Sequence, residues 1–226
     1  MSPMQYAKLH NNIQSDILTQ CAEILESKRA TLLIKRGFDV VLSILLLLIL
    51  LPIMLIISVA VAVDSPGGVL FKQERAGRYG KPFMILKFRT MTKANVGSNI
   101  TTGNDMRITR VGKLIRKIRF DEFPQLINVI NGDMSIIGPR PETMNFVDLY
   151  TADQRATLLV RPGISCRSSI AFADEADMIP DGVDTDKFYV ENILPDKCEM
   201  NINYIKNLSI KEDICVAFLT VARIFK

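Results

Sequence analysis

From Phe38 to Val63 the chain reads FDVVLSILLLLILLPIMLIISVAVAV, and Asp39, near its start, is the only charged residue in the run. A surface helix of a soluble domain needs a polar face, and this segment has none. Its length meets the ~20 apolar residues that a bilayer crossing requires. Membrane association is the first constraint on the fold. The flanks bear on how the segment associates. Lys28, Arg29, Lys35 and Arg36 precede it, and Lys72, Arg75, Arg78 and Lys81 follow it. With cations balanced on both sides, neither flank favours translocation. Pro52 lies near the middle and removes one helical hydrogen bond. A helix broken at Pro52 that returns to the face it entered satisfies both flanks, and this re-entrant helix-break-helix is the expectation. A straight spanning helix with a tolerated proline is the alternative.

Residues 1–34 read as an N-terminal extension that contains a helix. Ile13, Ile17, Leu18, Cys21, Ile24 and Leu25 form its apolar stripe, which suits either a membrane surface or ordinary packing. A secretory signal is not expected, because the apolar run begins late and no small-residue cleavage site follows it.

Lys and Arg outnumber Asp and Glu by only 28 to 24, so the balance implies no nucleic-acid partner. Cys21, Cys166, Cys198 and Cys215 are far apart in sequence, which argues against a zinc site or disulfide framework and for reduced thiols. His10 is the single histidine. It lies far from every other residue of interest, so triad chemistry would need it to fold back, and HExxH zinc chemistry is excluded. Neither a Walker A loop nor GxGxxG is present. Enzymatic chemistry on this chain must rest on carboxylates, Arg, Lys and a metal ion.

Those residue types converge between Arg110 and Glu142, RVGKLIRKIRFDEFPQLINVINGDMSIIGPRPE. Val111, Leu114, Ile115 and Ile118 mark one face of a basic helix. Phe123, Leu126, Ile127 and Ile130 mark a second, which Asn131-Gly132 terminates. Between them lie the adjacent carboxylates Asp121 and Glu122. Asp121 falls where the second helix needs its N-cap, with Pro124 in the first turn. Capping alone is one reading. The crowding of two carboxylates among cations favours the other, a catalytic pair kept ionised by the positive helix end.

Around this stretch, Asp64-Ser-Pro-Gly-Gly68 is a turn, VLFKQERAG a strand, and residues 81–91 a second strand that sets Lys87 and Arg89 on one face as candidate phosphate ligands. Residues 92–108 are Gly/Asn/Thr-rich and read as a loop. Val160-Arg161-Pro162-Gly163 reads as a turn, and residues 173–187 are acidic and irregular. From Lys197 a helical pattern resumes, and Ile210, Ile214, Phe218, Val221 and Phe225 share a face suited to a membrane surface or to packing.

An ordered series of short motifs runs along the chain: Lys35-Arg36-Gly-Phe-Asp39 before the proline-broken apolar segment, Asp64-Ser-Pro-Gly-Gly68, Phe71-Lys-Gln73, Lys87-Phe-Arg89-Thr90-Met91, Asp121-Glu122, Gly132-Asp-Met-Ser135, Gly138-Pro139-Arg140-Pro141 and Arg161-Pro-Gly163. From Lys35 onward the chain resembles the bacterial sugar transferase family, the small monotopic phosphoglycosyl transferases. That resemblance implies an α+β, mainly helical fold, with a re-entrant membrane helix over 35–64 and a cytoplasmic catalytic domain over 65–226 that carries interfacial helices. It places the protein at the bacterial inner membrane. It implies transfer of a sugar 1-phosphate from a UDP-sugar to undecaprenyl (polyprenyl) phosphate with release of UMP, and so a role in lipopolysaccharide or exopolysaccharide synthesis. Asp121 matches the family's covalent nucleophile, Glu122 completes the dyad, and Mg²⁺ is the implied cofactor, with both carboxylates as its ligands. Arg140 with Pro139 and Pro141 are the implied nucleotide and phosphate residues; Lys87, Arg89, Thr90 and Arg161 join them as candidate substrate and phosphate ligands, with Pro52 as the candidate membrane hinge. Partners are thus the UDP-sugar, the polyprenyl phosphate and membrane lipids; homo-oligomerisation stays open.

The sequence departs from the family in places. After Gly163, Ile164-Ser-Cys-Arg-Ser-Ser-Ile170 replaces a Trp-Ala-Gln-Val-Asn-Gly-Arg run, and Leu51 precedes Pro52 where some members have Ser. Two other readings remain: a membrane-anchored glycosyltransferase releasing UDP, and a non-catalytic membrane binding protein. A carboxylate nearing a pyrophosphate at about 4 Å is repelled by roughly 4 kcal/mol per pair of unit charges at an effective dielectric near 20. That repulsion is the physical reason to expect a metal and cations at the site.

Overall fold

The computed structural model describes residues 1–10, 15–92, 107–180 and 182–224. Most of the expected loop at 92–108, and Phe225 of the last apolar face, lie outside the described residues.

The N-terminal residues are built into the body of the protein. Helix α1 (Pro3–His10) precedes α2 (Asp16–Ser27), whose N-cap Ser15 accepts a hydrogen bond from Leu18 N. Leu18, Cys21, Ala22 and Leu25 are fully buried. They share one core with Leu159, Ile193, Leu194, Ile205 and Leu208 from the far end of the chain. Of the two readings of this helix, ordinary packing holds. At ~25 cal/mol per Å² of apolar surface buried, Leu18 and Leu25 each contribute about 1.5–3 kcal/mol, which fastens the segment to the domain.

Helix α3 (Arg29–Asp64) follows after Lys28, the residue shared by the two helix ends. It is helical throughout its 36 residues with Pro52 inside, so the expected hinge has no unwound residue at that proline. Only the bond that Pro52 N would have made is lost, and the leucines and isoleucines around it keep the helix going. Leu45, Leu48, Ile49, Leu51, Leu55, Ile56 and Val59 are exposed along its middle, whereas Ile57 and Val61 are buried. Both ends of α3 dock on the remainder of the molecule. At the first end, Arg36 donates to the carbonyls of Val129 and Ile130, and Asp39 Oδ2 accepts from Ser135 Oγ at 2.6 Å. At the second, Asp64 accepts from Val111 N, and Ile57 and Val61 cluster with Phe88 and Ile115.

The two strands read after Asp64 form an antiparallel hairpin, β1 (Leu70–Ala76) with β2 (Pro82–Phe88), in register from Leu70 opposite Phe88 to Ala76 opposite Pro82. Next come α4 (Arg110–Lys117), capped by Thr109, and α5 (Gln125–Asn131), closed by Gly132 at φ +97. Leu114 of the expected α4 stripe is exposed; Ile115 carries the packing. A short parallel pair joins β3 (Ser135–Ile137) to β4 (Gly163–Ser165), so Arg161-Pro-Gly163 leads into a strand instead of forming a free turn. A Cβ on Gly163 would lie 2.1 Å from Gly138 N, so the two glycines permit this approach. Helices α6 (Met144–Asp148) and α7 (Arg167–Ala171) flank β4. Helix α8 (Thr185–Phe188) runs through a wider turn at Tyr189–Ile193 into α9 (Leu194–Lys206), and α10 (Ile210–Ile224) follows. Ile214, Phe218 and Val221 of α10 point away from the body, while Val216 packs inward. The architecture is the expected mainly helical α+β arrangement.

Candidate active site

After α4 the backbone makes an unusual reversal. Arg119 takes a left-handed conformation, φ 56, and a tight turn, Phe120–Glu122, follows. A residue with a Cβ held there costs about 1–2 kcal/mol, and such strain tends to sit at functional turns. The turn sets Asp121 and Glu122 side by side, each only 8% exposed. Asp121 is not the cap of α5. Pro124 occupies that place, and i to i+3 bonds from Leu126 N to Phe123 O and from Ile127 N to Pro124 O tighten the entrance. The proline continues the preceding turn, so no extended residue is left to cap.

Cations reach the pair from two directions. Lys87, near the end of β2, donates to Glu122 Oε1 at 2.8 Å. Arg140, two residues after Gly138, donates to the same oxygen at 2.7 Å. Burial is the largest single influence on Glu122 and opposes its ionisation. The charges and hydrogen bonds of Arg140 and Lys87 together overcome it and hold this carboxyl far below the usual carboxylate range. Glu122 in turn raises Arg140, whereas burial outweighs Glu122 at Lys87 and lowers that ammonium. Asp121 goes the other way. Burial and then the adjacent Glu122 charge push it up, against Lys87, Arg116 and Arg140. Neighbouring carboxylates thus acquire different characters, one locked as an anion and one uncommitted. Among the described residues no side chain donates a hydrogen bond to Asp121.

The other expected site residues spread apart. Arg89 is buried, and its two terminal nitrogens donate to the carbonyls of Ser65 and Pro66. Its observed task is to hold the turn after α3, and it does not join Lys87 at Glu122. Buried Thr90 gives its carbonyl to Thr109 N, close to Gly112 of α4. Pro139 accepts from Gly163 N and Pro141 from Arg75 Nη1, so both brace the segment that presents Arg140. Arg161 bonds the Gly132 carbonyl and lines a different cleft.

Sequence reading missed four contributors. Asn128 of α5 bridges to β2, accepting from Leu86 N at 3.0 Å and donating to Met84 O at 2.8 Å. It thereby fixes the strand bearing Lys87 against the helix after the dyad. The apolar stripe gave no signal for it, since Asn128 lies off the face marked by Phe123, Leu126, Ile127 and Ile130. Gln125, four residues beyond Asp121, is 1% exposed with its Nε2 unpartnered. Arg116 acts on Asp121 by charge, and Arg75 stands beside Glu142 and Arg140.

This arrangement, an uncommitted carboxylate next to a cation-clamped one, can be compared with known proteins. The sequence pattern of the family described as bacterial sugar transferase matches residues 30–226. The chain belongs to the bacterial sugar transferases. This family member is 38% identical over 196 residues to the UDP-N-acetylgalactosamine-undecaprenyl-phosphate N-acetylgalactosaminephosphotransferase of Aeromonas hydrophila, a match covering 84% of this chain and 43% of that protein. It is 36% identical over 199 residues to the UDP-glucose:undecaprenyl-phosphate glucose-1-phosphate transferase of Escherichia coli, covering 85% of this chain and 40% of the relative. An uncharacterised sugar transferase of Bacillus subtilis, EpsL, is 35% identical over 193 residues, with 85% and 88% covered. The chain therefore spans less than half the length of the first and second of these proteins and most of the third.

Proposed function

We propose that this bacterial sugar transferase moves a sugar 1-phosphate from a UDP-sugar to undecaprenyl phosphate and releases UMP. The observation that carries the proposal is the difference between the paired carboxylates. Glu122 is fixed by Lys87 and Arg140, while Asp121 beside it has no hydrogen-bonding partner among the described residues. In this reading Asp121 attacks the sugar-bearing phosphorus of the donor. The bond from that phosphorus to the bridging oxygen breaks, UMP carries the electron pair away, and the phospho-sugar stays on Asp121. The lipid phosphate then attacks the same phosphorus and frees the carboxylate. Two half-reactions suit a soluble donor and a membrane-bound acceptor that occupy one site in turn. The names of the Aeromonas and Escherichia relatives support both partners.

Two adjacent carboxylates, with no third Asp, Glu, His or Cys to complete a cage among the described residues, fit Mg²⁺. This ion binds through one or two carboxylates plus substrate phosphates. Asp121 and Glu122 would hold it, and it would supply charge neutralisation for the anionic approach. Lys87 and Arg140 are placed to bind phosphate oxygens as well as Glu122.

The re-entrant reading of α3 is part of the proposal. Its support is that both ends of the helix dock on one catalytic body while the apolar middle is left exposed. The outward Ile214, Phe218 and Val221 of α10 add an apolar surface suited to the interface. The catalytic domain then lies on the cytoplasmic face of the inner membrane, where UDP-sugars are available, and the product feeds lipopolysaccharide or exopolysaccharide assembly.

The test is a panel of UDP-sugars labelled in the sugar, incubated with purified protein without acceptor. The expected result is stoichiometric UMP and protein-bound label, both absent from Asp121→Asn. Release of UDP instead of UMP would overturn the reaction class. UMP release without bound label under several quenches would replace the covalent route by direct transfer.

A further inference from the structure

Away from the dyad, a cleft opens where α3 enters its apolar run. Its lining includes Lys35, Arg36, Arg78 and Arg161 on the cationic side and Asp39 as the one carboxylate. None of the residues around Asp121 contributes to it. Lys35 is neutralised, with its Nζ 2.8 Å from Asp213 Oδ2 and 3.7 Å from Asp39 Oδ2. Asp39 is committed further, to Ser135 Oγ and Ile136 N. The three arginines are treated differently. Arg36 holds the carbonyls of Val129 and Ile130, Arg78 Nε that of Leu159, and Arg161 Nε that of Gly132. None of the three forms an ion pair among the described residues. Asp39 and then Asp133 act on Arg36, and Glu26 on Arg78, by charge from beyond ion-pair contact. Burial, and after it the charge of Arg161, lowers Arg78. Converging guanidinium groups repel one another, and a fold that fixes them through neutral carbonyls leaves that repulsion for an anion to relieve.

We propose that this cleft is a second phosphate-binding site, built by Arg36, Arg78 and Arg161 and separate from the catalytic dyad. Its ligand is a phosphate-bearing anion, because a planar guanidinium fork matches phosphate oxygens two at a time. The location bears on the source. Leu32, Lys35, Arg36 and Asp39 share the cleft face of α3, while Leu33, Ile34, Phe38 and Val41 on its other sides are exposed. A phospholipid headgroup could therefore enter the cleft with its acyl chains alongside those apolar residues; a free phosphate is the other source of the same chemistry. The site would pin the start of α3 at headgroup depth and hold β3, whose Ser135 and Ile137 line the cleft just ahead of Pro139-Arg140.

The test uses the full chain in a phosphate-free maltoside detergent, carrying Arg140→Gln to weaken phosphate binding at the dyad. Arginine modification by phenylglyoxal is followed by peptide mass spectrometry with three probes: inorganic phosphate, dioleoylphosphatidylglycerol and dioleoylglycerol. Arg78 and Arg161 should be labelled about fivefold more slowly with a phosphate-bearing probe, and no more slowly with dioleoylglycerol. Protection by the phospholipid at concentrations where inorganic phosphate fails assigns the site to a headgroup; equal protection assigns it to a soluble anion. Adding Arg78→Gln should weaken the probe's affinity about tenfold, corresponding to one charged contact. If that variant does not fold, the labelling of the parent still decides. Unchanged labelling with both phosphate probes, or equal protection by dioleoylglycerol, would overturn the proposal.

Discussion

Removing Arg140 should damage stability and chemistry by routes that a second substitution separates. Arg140 and Lys87 bond one oxygen of Glu122, at 2.7 and 2.8 Å, and the Glu122 side chain is 10% exposed. A hydrogen bond to a charged group contributes about 1.5–3 kcal/mol. Arg140 is 30% exposed along its side chain, so solvent screening places its share near the lower end, about 1.5–2 kcal/mol. Arg140→Gln should therefore lower the melting temperature by about 3–8 °C, at 2–4 °C per kcal/mol for a chain of this size. The chain has no Trp, so circular dichroism at 222 nm is the suitable monitor. If the loss comes from a buried carboxylate left with one cation, adding Glu122→Gln should recover at least half of it, because the under-compensated carboxylate is gone and the Lys87 ammonium keeps the charge of Asp121 opposite it. Activity should behave otherwise. A contact of about 2 kcal/mol that also serves the transferring phosphate corresponds to roughly 30-fold in kcat/KM. The double variant should be no more active than Arg140→Gln alone. If Glu122→Gln restores turnover along with stability, or fails to restore stability, the clamp does not work as described.

Gly163→Ala should destabilise by more than about 3 kcal/mol, since its Cβ would meet the Gly138 backbone at 2.1 Å and neither strand can give way; unchanged chemical denaturation would contradict the close approach of β3 and β4. EDTA should abolish UMP release, and Mg²⁺ should restore it without altering the far-ultraviolet spectrum; full activity in EDTA would remove the metal from the proposal. Of the four thiols, only Cys215 should react with iodoacetamide in native protein at pH 8. It is exposed, whereas Cys21 and Cys166 are buried and burial pushes Cys198 up to about 12. Rapid labelling of Cys198 in folded protein would refute that packing.

Much of the local structure was legible because it depends on near neighbours. The apolar run, the hairpin, Gly132 as helix stop and the adjacent Asp121 and Glu122 follow from spacing, turn chemistry and covalent adjacency. So does the membrane-seeking character of residues 38–63, since no polar residue interrupts one side of that helix. Tertiary structure decided matters that depend on which distant groups share one buried volume. Lys87 and Arg89 have the same parity on a strand, yet one meets Glu122 and the other holds the carbonyls after α3. Arg140 and Arg161 sit in similar Arg-Pro contexts, yet one faces the dyad and the other a separate cationic cleft. Whether α2 packs or lies on a membrane was likewise settled by a core drawn from both ends of the chain. Periodicity assigns a residue to a face. What covers that face, and so whether a charge is clamped, neutralised or left open, is set by long-range packing that no local pattern encodes.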